Sequence, residues 1–432
     1  MNNNHALNKF YRLAKEKFFP LCRSITGTGT YKTLKYIKKE FKNLKIYKIK
    51  SGTKVYDWKV PNEWNIKDGY ILDKFNKKIL DFKKNNLHVV NYSYPINKII
   101  NKKNLLKKIH THSKIYTAIP YVTSYYNKYW GFCMSHKNKL SVNKKYKEND
   151  NFKVSIKSKL NKNGSLRWGE IELKGKSKNE ILISTYICHP SMANNELSGP
   201  ILSMMLINYF KKSLREKTLR FIFIPETIGS ICFINKNFDH LKKNVIGGYN
   251  LTCVGDERMH SCMLSKYENS PSDIALLQTY KRLKIKYKKY SFLERGSDER
   301  QFNSPGIDLG ITSIFRSKYN TYPEYHSSHD DFSLCTKKGL KDSFHVAKNA
   351  IQTMQKMIIP TSKLMCEPQL GKRGLYPKIS KNYKRDFFRT LLDFLQYSDG
   401  KNDLKKISQK IKVNYKNSFK IYKILKKENL II

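Results

Sequence analysis

Several apolar runs in the middle of this 432-residue chain each end on a side chain that could bind a metal or move a proton. His189 follows EILISTYIC and opens the stretch HPSMANNELSG. Glu226 closes RFIFIPE between Pro225 and Thr227, and Asp256 ends LTCVGD. Ser297, Asp298, Glu299 and Arg300 precede the turn SPGID, and TYPEYHSSHDDFS crowds His326, His329, Asp330 and Asp331 into one loop. In open α/β sheets, ligands collect where strands end and helices begin. Imidazole and carboxylate donors with one position left open suit zinc, and a carboxylate beside the attacking water is the general base that hydrolysis requires. Each residue alone has a plainer role. A single strand-end histidine is commonly structural, and a glutamate at a strand-helix junction serves the helix N-terminus. The combination is what points to metal-dependent hydrolysis.

A nucleophilic hydrolase is not expected. The chain lacks a G-x-S-x-G elbow, and Ser198 in ELSGP opens a helix, where capping is the simpler duty. Cys188 beside His189 could form a dyad, but neighbouring strand residues point to opposite faces, so Cys188 is expected to face away from a site that His189 lines.

These residues need elements to hold them. Residues 5–45 carry apolar side chains at three- and four-residue spacing, interrupted near Ser24, Thr26 and Gly27, and read as a helical opening. Residues from about 46 to 165 hold short alternating runs such as YKIKSGTKVYDWKVP, LHVVNYSYPI and FKVSIKSKL, and 51–164 read as an inserted β-rich domain. From 165 to 365 strand and helix patterns alternate, as in EILISTYI, SGPILSMMLINYF, TLRFIFIP and NVIGGYNLTCVG, which predicts an α/β domain with helices on both faces of its sheet, completed by residues 1–50. Three short helical stretches in 378–432 fit a winged-helix domain.

Hydrophobic residues make up 40% of the chain, which excludes a disordered protein. Lys and Arg outnumber Asp and Glu by 84 to 34, for a formal charge of +50. The excess is spread along the whole length with Asn, Ile and Tyr, so solvated lysine faces are expected rather than a nucleic-acid surface. The basic helix NSFKIYKILKKENL leaves a regulator contacting nucleic acid as an alternative. The eight cysteines are scattered without a C-x-x-C pair, several of them in apolar runs, as reduced cytoplasmic thiols would be. The N-terminus lacks signal-peptide features, and no run approaches the ~20 apolar residues of a membrane span. A cytoplasmic protein is the expectation.

The motifs also carry a family resemblance. GSDERQFNSPGID looks like the SDHxPFxxxGIP segment of zinc aminopeptidases related to bacterial leucyl aminopeptidase and glutaminyl cyclase, and YHSSHDDFS resembles their YHTPxDT ligand loop. Taken in order, CRSITG, VPNEWNI, STYICHPSMANNELSG, IPETIGS, LTCVGDER, SDERQFNSPGID and YPEYHSSHDD are similar to an aminopeptidase-like family that carries an inserted β domain and a C-terminal winged helix. The resemblance spans nearly the whole chain. It implies a phosphorylase/hydrolase-like mixed sheet, a zinc site, kinship to exopeptidases and an association with polysaccharide biosynthesis. It places His189 and His326 at ligand positions and Glu226 at the general-base position. Departures follow elsewhere: ANNELSG stands where the family reads ANDNLSG, putting neutral Asn195 at the bridging carboxylate, and Thr227 and Thr252 occupy two further carboxylate positions. One zinc is therefore expected rather than two, with none as the alternative. Its ligands would be His189, His326 and a carboxylate, Glu196 or Asp256, with Glu226 taking a proton from the metal-bound water. Asn195, Arg300, Tyr325 and Asp330 would contact substrate. The expected function is hydrolysis of a peptide or amide bond. A degraded relative that only binds a small ligand is the second reading. The partner would be a small molecule or peptide, not a membrane or nucleic acid, and homo-oligomerisation is left open.

Overall fold

A computed structural model of the chain describes residues 3–375 and 387–432. Its centre is an eight-stranded mixed sheet in the order Lys45–Lys50, Ser165–Leu173, Lys217–Ile224, Ser177–Tyr186, Val245–Leu251, Ile311–Phe315, His260–Met263, Tyr287–Tyr290. The four middle strands, from Lys217–Ile224 to Ile311–Phe315, run parallel. They are buried on both faces, which explains why EILISTY and TLRFIFI read as continuous apolar runs rather than alternations. Helices Asn3–Leu13, Ser198–Phe210, Pro271–Arg282 and Lys337–Lys356 pack together over one face. Ile228–Asn244 covers the other. The expected α/β class with helices on both faces is the one found.

Parallel strands put their C-terminal ends at one edge, and the chemistry gathers there. Tyr186 and Ile224 end adjacent strands in register, so the loops that follow bring His189 and Glu226 side by side. A separate antiparallel sheet, Lys78–Asp81, Glu63–Leu72, Asn151–Asn161 and Ile96–Asn101, has its own core of Ile71, Leu105, Phe132, Phe152 and Val154. At the C-terminus, Phe387–Gln396, Leu404–Lys410 and Tyr415–Lys427 enclose Leu391, Phe394, Ile407 and Leu425. The expected start of that domain, residue 378, lies outside the described residues. Among the described residues no helix is long and apolar enough to cross a membrane. The eight cysteines are free thiols, six of them buried.

The helix Ser198–Phe210 begins against the sheet itself. A Cβ on Gly199 would lie 2.2 Å from Thr185 Oγ1 and 2.3 Å from Leu251 O, both on central strands. No side chain fits without parting helix and sheet. Gly199→Ala is expected to lower unfolding free energy by about 1–3 kcal/mol, read as an earlier urea midpoint with an unchanged slope.

Candidate active site

The strand carrying His189 ends at Tyr186, and the backbone then leaves the sheet through a loop in which Ser191 adopts a positive φ of 48°. The His189 ring is buried, with Nδ1 2.6 Å from Glu196 Oε2 and Nε2 3.6 Å from Glu226 Oε2. A carboxylate on Nδ1 keeps a proton there, so Nε2, facing Glu226, is the nitrogen that could bind an ion once it gives up its own proton. Behind this pair lies Arg23, fully buried, whose Nη2 donates to the His189 carbonyl at 2.6 Å. Its charge acts on Glu196, so a buried cation balances a buried anion.

Glu226 sits on a tight turn in which Thr227 has φ 64°. Asp298 Oδ1 holds that turn, accepting from Thr227 N at 2.8 Å and Ser230 Oγ at 2.9 Å. Burial raises the Glu226 pKa, and the charge of His189 opposes the rise. Burial, and next the charge of Glu226, push Asp298 well above the usual carboxylate range. At His189 burial disfavours the imidazolium, but Cys188 and Glu196 outweigh it and raise the pKa. Because burial pushes the Cys188 thiol up to about 12, Glu196 is the anion responsible at neutral pH.

His326 comes from a loop clamped by the inserted β-rich segment. Tyr121 N donates to His326 O at 2.8 Å, Ser328 N to Ile119 O at 2.9 Å, and Ile119 N to Ser328 Oγ at 3.0 Å. These bonds hold His326 at φ 53°, a conformation uncommon outside glycine. Tyr325 stacks on the imidazole with centroids 3.9 Å apart, while Tyr121 stands edge-on to both His189 and His326 at 5.0 and 5.2 Å. The two histidine rings are 5.2 Å apart, and His326 Nε2 is buried without a partner.

His189, His326, Glu226 and Arg300 line one cleft of about 400 Å³, together with Cys188, Thr227 and the aromatic residues Trp58, Tyr121, Tyr125 and Tyr126. The other expected site residues do other work. Both oxygens of Asp256 are taken, by Ser317 N and Oγ, Arg258 N and Asn194 Nδ2, at 2.9–3.1 Å, so the expected metal role of Asp256 does not hold. Asp330 is also no substrate contact. It is fully buried and accepts from the amides of Ala193, Asn194 and Asn195 and from Tyr322 OH, capping the turn Ala193–Leu197 that carries Glu196. Asn195 is buried away from the cleft, its Nδ2 on Tyr186 OH, and Tyr325 orients His326 rather than facing substrate. Ser198 does not cap its helix, since its hydroxyl donates to Asn194 O and accepts from Val254 N. Cys188 does not face away either. The strand has ended before it, alternation no longer applies, and Sγ lies 3.5 Å from His189 Nδ1.

Among the described residues, one group of three potential metal donors lies within 4.8 Å of one another, namely Cys188, His189 and Glu196. That group surrounds Nδ1, where Glu196 is already bound and Arg23 supplies a positive charge, so a cation there meets repulsion. The cleft side suits an ion better, because it offers His189 Nε2 and the unpartnered His326 Nε2 beside Glu226. These donors fit a metal ion. For a second, Asn195, Thr227 and Thr252 contribute no charge, and Thr227 Oγ1 is occupied by Arg300 Nη2 at 2.5 Å. The sequence reading missed Arg23, Trp58, Tyr121 and Tyr125. The CRSITG motif and the aromatic run YVTSYY were the available signals.

Comparison with known proteins agrees with this architecture. Residues 11–357 match the family described as a domain of unknown function, DUF4910, and residues 358–432 match a winged helix-turn-helix. A Clostridium acetobutylicum protein, named as a candidate polysaccharide biosynthesis protein with an aminopeptidase-like domain, is 40% identical over 95% of this chain and 92% of its own. A crystal structure of a candidate peptidase from Clostridium acetobutylicum is 38% identical with a TM-score of 0.79, covering 100% of this chain and 97% of that one. BSAP, a zinc aminopeptidase from Bacillus subtilis, shares the fold at 14% identity and a TM-score of 0.60, over 81% of this chain and 94% of its own.

Removing Glu196 would leave Arg23 and His189 buried without their counter-charge. Glu196→Ala is expected to cost about 3–5 kcal/mol in denaturant unfolding. A loss below about 1 kcal/mol, the range of an exposed pair, would contradict the role given to this contact.

Proposed function

The chain belongs to the DUF4910 family, and from that premise we propose that it is an aminopeptidase-like hydrolase using one zinc ion to cleave a peptide or amide bond. One observation carries the reading: His189 Nε2 lies 3.6 Å from the Glu226 carboxylate in a cleft where His326 Nε2 has no protein partner. His189 and His326 would hold the ion. When bound, zinc would polarise the scissile carbonyl and make water acidic enough to be activated near neutral pH.

Glu226 takes the proton of the attacking water and returns it to the leaving amine. Burial lifts its basicity in the direction such a role needs. Glu196 fixes the His189 tautomer, and Asp298 fixes the turn that aims Glu226. The aromatic residues wall the cleft and leave it open at its mouth. The clostridial relative is named for polysaccharide biosynthesis, which supports an amide in a polysaccharide precursor as the substrate. A second reading, a ligand-binding relative without turnover, is favoured by the uncharged Asn195, Thr227 and Thr252.

Zinc-loaded protein is expected to bind a single ion per chain and to hydrolyse aminoacyl p-nitroanilides, with activity lost on chelation and restored by zinc. Glu226→Gln is expected to reduce turnover about 100-fold or more while keeping the metal, whereas His189→Ala loses it. Elemental analysis and initial rates together decide the matter. Zinc-supplemented protein without metal, or His189→Ala with undiminished metal, would end the hydrolase reading. Turnover abolished by Glu226→Gln would end the alternative.

A further inference from the structure

Arg300 is a cleft-lining cation with no carboxylate in direct contact. It lines the cleft, its Nη2 donates to Thr227 Oγ1 at 2.5 Å, and its Nε is buried with no hydrogen-bond partner. Among the described residues it makes no ion pair, although its charge acts on Glu226, whereas Arg23, behind the cleft, has its charge set against Glu196. Arg300 as a whole is half-buried, and a buried N–H such as its Nε is costly unless something accepts from it. Trp58 and Tyr126 line the same cleft, packed edge to face at 5.8 Å and left 38% and 52% exposed. Exposed aromatic rings at a cleft mouth offer flat faces for a ligand to stack on. Deeper in, the hydroxyls of Tyr121 and Tyr125 meet at 2.5 Å.

We propose that the cleft selects a substrate carrying a carboxylate beside a flat apolar face, the carboxylate on Arg300 and the face against Trp58 and Tyr126. The planar fork of a guanidinium matches a carboxylate with two parallel hydrogen bonds. Glu226 faces the same space, so a singly charged carboxylate is tolerated better than a doubly charged phosphate. Trp58 and Tyr126 come from residues 51–164 and Arg300 from the α/β domain, so the inserted segment supplies the specificity that the sheet edge lacks. This proposal rests on the reading of the cleft as the substrate site, but binding does not require turnover.

The test is calorimetry on the full chain with chelator present, which separates it from zinc and hydrolysis. The probes are phenylpropionate and its uncharged isostere phenylpropionamide. The acid is expected to bind about tenfold or more tightly than the amide. Arg300→Gln should abolish that preference, and Trp58→Ala, at the exposed lip, should weaken both probes alike. The comparison on unaltered protein stands even where Arg300→Gln fails to fold. Equal affinity for acid and amide, or no binding of either at about 20 mM, the weak end for a fragment, would overturn the proposal. So would an Arg300→Gln protein, folded by circular dichroism, that keeps the preference.

Discussion

The contact on which the site depends is the buried hydrogen bond between His189 Nδ1 and Glu196, backed by the Arg23 guanidinium. It assigns the two faces of one imidazole. The inner face is spent on protein charge, and the outer face is left to the cleft. Three ionisable groups in a dry interior are costly unless each is paired, and their mutual satisfaction makes the arrangement stable while fixing its polarity. An ion on the inner side would compete with Arg23, whereas on the outer side it meets His326 and Glu226.

The other constraints serve that polarity. Adjacent parallel strands ending in register bring His189 and Glu226 together, Asp330 caps the turn that carries Glu196, and Asp298 caps the turn that aims Glu226. The segment carrying Trp58 and Tyr121 then walls the cleft. Its backbone bonds to the loop 326–328 hold His326 in a strained conformation, and its aromatic residues make the cleft wall. Residues 51–164 are thus part of the site rather than an appendage to it.

Much of this was legible before any coordinates. The apolar runs marked the central strands, and strand ends followed by His189 and Glu226 marked the cleft, because topology alone brings such ends together. What depends on loops was not legible. Cys188 lies two residues past the end of regular alternation, where a period-two rule has no force. Asp256 and Asp330 look like ligands by type and spacing, yet Ser317 and three backbone amides from distant parts of the chain consume their oxygens. Trp58 and Tyr121 lie more than sixty residues before His189, and their approach is a tertiary fact with no local pattern. Arg23 sat inside a recognisable motif whose purpose only the packing explains.

On the proposed reading, a zinc ion sits on the outer nitrogen of His189, away from Cys188. Zinc-edge X-ray absorption of the zinc-loaded protein tests this most directly. The expected shell holds only nitrogen and oxygen neighbours near 2.0–2.2 Å, with the outer-shell signature of two imidazoles. A sulfur neighbour near 2.3 Å would place the ion on the Cys188 side and contradict the account.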